Sequence, residues 1–159
     1  ARLEVDASDV EGVIVCQGGN LNGWTLYLQE GRPGYHYNLF GHQRTTVEAS
    51  EPLTPGPHEV RVFFDYDGGF GKGGTAHLFV DQELLASERI EATVPVVFSM
   101  SGETFDVGVD TGAPVGLYPH LFPCTVTIKD VTITLLDEID AETQQAITEG
   151  VFKAALAAQ

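Results

Sequence analysis

Basic residues are scarce in this chain of 159 residues: eight Lys and Arg stand against 23 Asp and Glu, which gives a formal net charge of −15 at pH 7. A protein that binds nucleic acid needs a basic stripe that displaces counterions from the phosphates, and the sequence offers none. Anionic lipid surfaces are disfavoured for the same reason. The composition therefore predicts that neither nucleic acid nor a membrane is a partner of this chain.

Cysteine and long apolar runs are also scarce. The two cysteines, Cys16 and Cys124, are too few for a disulfide scaffold, and each lies in an apolar, strand-like run. We expect two buried free thiols, with a single bridge in an oxidising compartment as the alternative. No apolar run approaches the ~20 residues of a membrane helix. The first residues lack the apolar stretch of a secretory signal, so any signal would belong to a longer precursor.

What the sequence has in abundance is alternation of apolar and polar residues with period two, as in the segment Val60–Tyr66. The pattern predicts strands at about 2–6, 11–17, 24–29, 34–39, 43–48, 60–66, 76–80, 84–91, 95–100, 103–107 and 124–135. A change of phase in the last of these predicts a bulge or turn at Lys129 and Asp130. Many short strands without intervening helices are typical of an all-β protein. We expect a two-sheet antiparallel jelly-roll sandwich of concanavalin-like type.

The same alternation selects a core of inward-facing side chains. Its expected members are Val13, Val15, Trp24, Leu26, Val60, Val62, Phe64, Leu78, Val80, Phe98, Val126, Ile128 and Ile133.

The C-terminal residues have a different pattern. From Asp140 onward the chain is rich in Ala, Glu and Gln, with apolar residues at helical spacing, which predicts a helix with Asp140 as its N-cap. The apolar stripe is narrow, and Gly150 weakens its middle. We therefore expect a sandwich domain over 1–136 and a helical extension over 137–159 that can be removed with modest loss of stability.

Four carboxylates invite a metal-binding interpretation. Asp65 and Asp67 open a Gly-rich segment, and Asp106 and Asp110 flank another glycine. Their oxygens could converge on Ca²⁺, although Asp and Gly in such segments also serve simply to form hairpin turns. We therefore expect no cofactor, with calcium as the possible exception.

Catalytic chemistry has no support in the sequence. The five histidines show no metal-binding spacing, no G-x-S-x-G segment is present, and Cys16 and Cys124 lie in apolar runs where a thiol is inert. We expect no catalytic residue in this chain.

Four segments, taken together, carry a resemblance to a known family. They are 18–27 (GGNLNGWTLY), 37–41 (YNLFG), 64–75 (FDYDGGFGKGGT) and 105–115 (FDVGVDTGAPV). In this order they resemble segments in the C-terminal region of bacterial type I arylsulfatases, and the likeness extends over about residues 11 to 135. The hairpin LFVDQELLASERI is also similar to those of laminin-G and concanavalin-like jelly rolls.

The resemblance implies a non-catalytic accessory domain whose parent protein hydrolyses sulfate esters in the bacterial cytoplasm or periplasm. Such enzymes convert the Cys or Ser of a C/S-x-P-x-R segment to formylglycine, and neither Cys16 nor Cys124 begins one. The domain would pack on the sulfatase catalytic domain or shape substrate access. The alternative is an independent carbohydrate-binding jelly-roll module.

A partner-binding face follows from strand alternation. The residues expected to point outward are Tyr27, Arg61, Phe63, Asp65, His77 and Phe79, joined by His36 and Asn38 if Tyr35 and Tyr37 point inward. Aromatic rings with polar groups set among them are typical of a contact surface, here for the sulfatase catalytic domain or for a saccharide. The alternative is that the chain's own loops or helix cover the face.

Overall fold

The computed structural model describes residues 1–95, 98, 105–136 and 141–157, with the side chains of the last range described at 141–143 and 145–150. These residues form ten β-strands and one α-helix. In chain order they are β1 (Arg2–Val5), β2 (Gly12–Gly18), β3 (Gly23–Gln29), β4 (Arg32–Leu39), β5 (Gln43–Glu48), β6 (Gly56–Tyr66), β7 (Lys72–Val80), β8 (Glu83–Ala92), β9 (Phe105–Val107), β10 (Thr127–Asp130) and α1 (Ala141–Ala157).

The strands form two five-stranded antiparallel sheets packed against each other. Sheet I has the order β10-β1-β6-β7-β8, and sheet II has the order β5-β4-β3-β2-β9. One apolar cluster draws its buried side chains from the inner faces of both sheets. The predicted all-β sandwich with a C-terminal helix is confirmed.

The last strand contains the predicted irregularity. Arg2 pairs with Asp130 while its neighbour Leu3 pairs with Ile128, so Lys129 has no partner across the β1–β10 ladder. The extra residue restores the inward phase of the strand, as a β-bulge does.

Two predicted strands differ in extent from those in the structure. The run predicted over 124–135 forms a strand only at Thr127–Asp130, and residues 131–136 continue without a ladder partner. The run predicted over 103–107 begins at Phe105 in the described residues, and most of the run predicted over 95–100 lies outside them.

Most of the predicted core is confirmed. Val15, Leu26, Val60, Leu78, Val80 and Val126 are buried in the inter-sheet cluster, and Trp24, Val62, Phe64, Phe98 and Ile128 pack against it with partial exposure.

The core prediction is wrong at Ile133, whereas Val13 is buried as predicted but on the opposite side of its sheet. A register shift between Val13 and Val15 turns Val13 to the outer face of sheet II, while Ile14 and Val15 both enter the inter-sheet core. Ile133 is 57% exposed, because the chain has left the β10 ladder before it reaches that position.

The helix α1 begins at Ala141 and follows the sandwich in sequence. It contacts β8 and, through Thr143, Arg61 of β6 on the outer side of sheet I. Within the described residues, no helix has the length and apolar character needed to cross a bilayer.

Candidate functional site

The residues predicted to form one contact face lie on two opposite faces of the sandwich. Tyr27, His36 and Asn38 belong to β3 and β4 and therefore to the outer face of sheet II, where Tyr35 and Tyr37 are the inward pair. The other five residues belong to β6 and β7 on the outer face of sheet I: Arg61, Phe63, Asp65, His77 and Phe79. The prediction of a single face is wrong, because alternation assigns a side to each strand without saying which strands share a sheet.

A stretch without regular secondary structure, residues 108–126, covers the outer face of sheet II. We call it the covering segment. Its side chains Val115, Tyr118 and Phe122 form a second apolar cluster with Val13, Cys16 and Tyr27 from the sheet. The rings of Tyr27 and Tyr118 lie 5.8 Å apart, and those of Tyr118 and Phe122 lie 5.3 Å apart.

The covering segment leaves the predicted contact residues of sheet II inaccessible. Tyr27, His36 and Asn38 are 6%, 2% and 0% exposed. Gly12, with φ of 115°, lets the segment pass close to β2, because a Cβ there would overlap the backbone of Pro123 and Cys124. The alternative in which the chain covers its own face is thus the one observed on this side.

Two carboxylates fold the covering segment. Asp106 Oδ2 accepts hydrogen bonds from the amide and the hydroxyl of Thr111 at 2.9 and 2.6 Å. Asp110, which is 1% exposed, accepts through Oδ2 from the Val115 amide at 3.0 Å and the Tyr118 hydroxyl at 2.8 Å. Both carboxylates therefore serve the chain's own backbone and side chains.

The segments GGNLNGW and YNLFG meet where β2 turns into β3 and β4 turns into β5. Asn38 donates from Nδ2 to the carbonyl oxygens of Gly19 and Asn20 at 3.2 and 2.9 Å, and its Oδ1 accepts from the Gly41 amide at 2.9 Å. Asn22 Oδ1 accepts from the amide of Phe40 at 2.9 Å. The two amide side chains thus tie the two turns together.

Arg44 joins this turn region to the covering segment. Its Nη1 donates to the carbonyl oxygen of Val115 at 3.0 Å and lies 3.4 Å from His36 Nε2. On the other ring nitrogen, His36 Nδ1 shares a 2.7 Å hydrogen bond with the hydroxyl of Thr46. Burial, with a smaller contribution from the Arg44 charge, lowers the pKa of His36 to about 4, so the imidazole is neutral at pH 7.

The helix α1 packs against part of the outer face of sheet I. Arg61 Nη1 lies 3.4 Å from the hydroxyl of Thr143 on the helix, and the Arg61 guanidinium stacks over the ring of Phe79 at 4.5 Å. Phe79 is 0% exposed and Thr143 is 3% exposed. Phe79 is consequently a packed residue and not part of an open contact surface.

His77 lies on the same face beyond this contact. Its Nδ1 shares a 2.7 Å hydrogen bond with Ser87 Oγ, and its ring stacks on Phe63 with the centroids 6.1 Å apart. His77 is 5% exposed, and burial lowers its pKa. Phe63 is half-buried, and of the predicted face residues Asp65 alone is exposed.

The calcium set does not converge. Asp67, at the end of β6, forms a two-pronged ion pair with Arg89 on β8, and these hydrogen bonds lower the pKa of Asp67. Among the described residues, the group with metal-binding proximity is instead Cys16, Asp106 and Asp110, whose ligand atoms all lie within 4.8 Å of one another. Asp65 and Asp67 are not part of this group.

Both cysteines are free, as predicted. Cys16 is buried on the outer side of β2, and Cys124 is partly buried against the inter-sheet core. Burial raises the pKa of Cys16 to about 12, helped by the negative charges of Asp110 and Asp106, and burial also raises the pKa of Cys124. Because the two thiols pack in different clusters, the alternative of a bridge between them is not realised.

Sequence patterns did not identify Thr25, Arg44 or Tyr118 as polar residues at the contact between sheet II and the covering segment. Thr25 and Arg44 look like ordinary strand polar residues, and Tyr118 lies in an aperiodic run between glycine and proline. The hydrogen bond between Asp110 and Tyr118 could have been suggested by the sequence, since an Asp in a turn commonly accepts hydrogen bonds from nearby residues of its own chain.

Comparison of the chain with protein-family models, with curated proteins and with solved structures finds no match in any of the three.

Proposed function

We propose that this chain is a non-catalytic accessory domain of an arylsulfatase-type sulfatase and that it packs on the catalytic domain of that enzyme. The most direct support comes from the hydrogen bonds that residues of the resemblance segments make in the structure. Asn22, Asn38, Asp106 and Asp110 bind groups of their own chain and hold turns and the covering segment in place. Motifs used in this way belong to a folding unit and not to a reaction centre.

The titratable pairs on the outer faces have the same structural character. His36 with Thr46 and His77 with Ser87 each consist of a buried imidazole and a hydroxyl on the neighbouring strand. A serine nucleophile with its base also needs a reachable site with oxyanion donors about 3 Å away. The repetition of one geometry in both sheets favours a shared packing role, so the sulfate-ester chemistry of the proposed parent enzyme is assigned to its catalytic domain.

The contact with the catalytic domain is assigned to the two joined turns of sheet II. Leu21 and Phe40 stand at these turns, within the resemblance segments, and are 49% and 56% exposed. Phe40 also holds a φ of 54°, a conformation that costs a bulky residue energy and that the Asn22 hydrogen bond to its amide stabilises. We infer an interaction surface from these two exposed apolar side chains on turns that Asn22 and Asn38 join.

The first experiment asks whether the isolated chain is catalytic. Purified protein is incubated with an aryl sulfate, and no turnover is expected. In parallel, the coding sequence on either side of the chain is searched for a C/S-x-P-x-R segment, which the proposal requires in the same reading frame. Turnover by the isolated chain, or a complete reading frame without such a segment, contradicts the proposal.

The second experiment tests the contact. Leu21→Ser with Phe40→Ser should leave the circular dichroism of the isolated chain unchanged and should lower the thermal stability of the parent enzyme. The matched control is Phe70→Ser, an exposed aromatic at the tip of the β6–β7 hairpin, also within a resemblance segment and 79% exposed. Equal effects of the two variants on the parent enzyme would refute the assignment of this surface.

The alternative of an independent carbohydrate-binding module has lost about half of the residues on which it was based, while Arg61, Phe63 and Asp65 keep some exposure. Tyr27, His36 and Asn38 are covered by the chain itself, and Phe79 is packed beneath Arg61. Sugar binding therefore stays a prediction, to be tested on a glycan array with and without calcium. Specific retention of a glycan by the isolated chain would make it the better hypothesis.

A further inference from the structure

The strongest unassigned feature is the group of three potential ligands beneath the covering segment. The Cys16 sulfur and a carboxylate oxygen from each of Asp106 and Asp110 lie within 4.8 Å of one another. The three residues come from β2, from β9 and from the segment that follows β9, so one ion would bind three separate parts of the chain. β2 and β9 are ladder partners, with Cys16 opposite Asp106.

A fourth polar group at this position is weakly satisfied. Thr25 is 0% exposed, and its hydroxyl makes no well-formed hydrogen bond; the polar group beside it is the Tyr118 hydroxyl, which already donates to Asp110. It is the cross-strand neighbour of Cys16 and faces the same side of sheet II, towards Gly116 and Tyr118 of the covering segment. Buried hydroxyls normally make a well-formed hydrogen bond, so a weakly satisfied one beside three potential ligands favours this position as a binding site.

The charge at the site leads to the same conclusion. Asp110 is 1% exposed, and no ion pair involves it among the residues that the structure describes. Its partners are the neutral donors Val115 and Tyr118. Buried carboxylates are normally paired with a cation or bound to a metal, and the neighbouring carboxylate of Asp106 adds negative charge to the site.

We propose that Cys16, Asp106 and Asp110 bind a divalent, thiol-seeking cation of the Zn²⁺ class, which fastens the covering segment to β2. A sulfur ligand selects Zn²⁺ and its analogues Co²⁺ and Cd²⁺ over Ca²⁺ and Mg²⁺, which take oxygen ligands. Thiolate and carboxylate oxygen are both established zinc ligands. On binding, the thiol proton passes to solvent and the sulfur–metal bond forms, with no change of oxidation state.

The test is a titration of Cd²⁺ into the metal-free full chain, followed by the ultraviolet charge-transfer absorbance of a cadmium–thiolate bond. The band should grow until one ion is bound per chain, and Zn²⁺ should displace it while raising the melting temperature. Surface histidines do not produce this band. A titration without a thiolate band would overturn the proposal.

Two cysteine variants identify the thiol. Cys124→Ser should retain the band in full, since it leaves Cys16 as the sole sulfur ligand, and Cys16→Ser should abolish it. Asp110→Asn should weaken Cd²⁺ binding about tenfold or more, whereas Asp65→Asn should not change it. If Cys16→Ser fails to fold by circular dichroism, Cys124→Ser still decides: loss of the band in that variant assigns the metal to Cys124 and refutes the site.

Discussion

His36 Nδ1 lies 2.7 Å from Thr46 Oγ1, directly across the β4–β5 ladder. The same relationship recurs in sheet I, where His77 Nδ1 lies 2.7 Å from Ser87 Oγ across the β7–β8 ladder. In both sheets the imidazole is buried and the hydroxyl partner lies on an edge strand. Each pair joins an edge strand to its neighbour and satisfies a ring nitrogen that would otherwise be buried without a partner.

The burial of His36 predicts a loss of stability in mild acid. Its pKa in the folded protein is about 4, below the ordinary value of 6.5, so the unfolded chain binds the additional proton between these two pH values. The contribution is complete above about pH 6.5 and falls as the pH drops towards 4, by roughly 3 kcal/mol in total. The lowered pKa of His77 acts in the same direction.

Urea unfolding at a series of pH values between 7 and 4 measures this contribution. The free energy of unfolding of His36→Asn, which cannot titrate, should fall less steeply than that of the parent chain. His42→Asn, a substitution of an exposed histidine, should leave the slope unchanged. Parallel slopes for the parent chain and His36→Asn would show that His36 is not held neutral by the fold.

Asp110→Ala should loosen the covering segment. The substitution removes the acceptor of two buried donors, the Val115 amide and the Tyr118 hydroxyl, at a cost of roughly 2–4 kcal/mol. Hydrogen exchange at the Val115 amide should accelerate more than exchange within β7, whose ladder is untouched. Asp65→Ala, at an exposed carboxylate, should change stability by less than about 0.5 kcal/mol. Unchanged protection at Val115 would contradict this role of Asp110.

Phe79, which alternation predicts on an outward contact surface, is instead fully buried. Phe79→Ala should cost roughly 3–5 kcal/mol, because the ring is fully buried beneath Arg61. Phe63→Ala should cost clearly less, since Phe63 is half-buried and stacks on one face of His77. Chemical denaturation of the two variants checks the ranking, and a Phe79 variant as stable as the parent chain would show that the ring packs loosely.

Alternation was sufficient to predict the inward side of β6 and β7, because each strand contains polar residues that mark its phase. It was insufficient at Val13, Ile14, Val15 and Cys16, where every residue is apolar and nothing in the run shows which one forms the bulge. Here the phase is set by pairing with β3, a long-range property.

The sequence allowed the covering of the outer faces as an alternative but could not decide in its favour, for a different reason. Residues 108–126 have no period, so their composition does not indicate the surface on which they lie. Cys16, Asp106 and Asp110 are likewise far apart in sequence and adjacent only through the pairing of β2 with β9. The turn chemistry of Asp106 and Asp110 could be predicted locally, but their proximity to Cys16 could not.

Gly150 provides the last test. Its low helix propensity suggests that replacing it would stabilise α1, whereas its close packing against Leu84 suggests that replacing it would destabilise the protein. A Cβ at position 150 would lie 2.6 Å from Leu84 Cδ2 and 2.8 Å from Leu84 Cβ, which is too close for real atoms. Gly150→Ala gains about 1 kcal/mol of helix propensity but forces α1 away from β8, so we expect a net loss of stability. Leu84→Ala makes room for the new methyl group, and Gly150→Ala should then stabilise the double variant relative to Leu84→Ala alone. Thermal unfolding of the four proteins measures the sign of this coupling. A stabilising Gly150→Ala in the presence of Leu84 would show that α1 does not pack on β8 at this position.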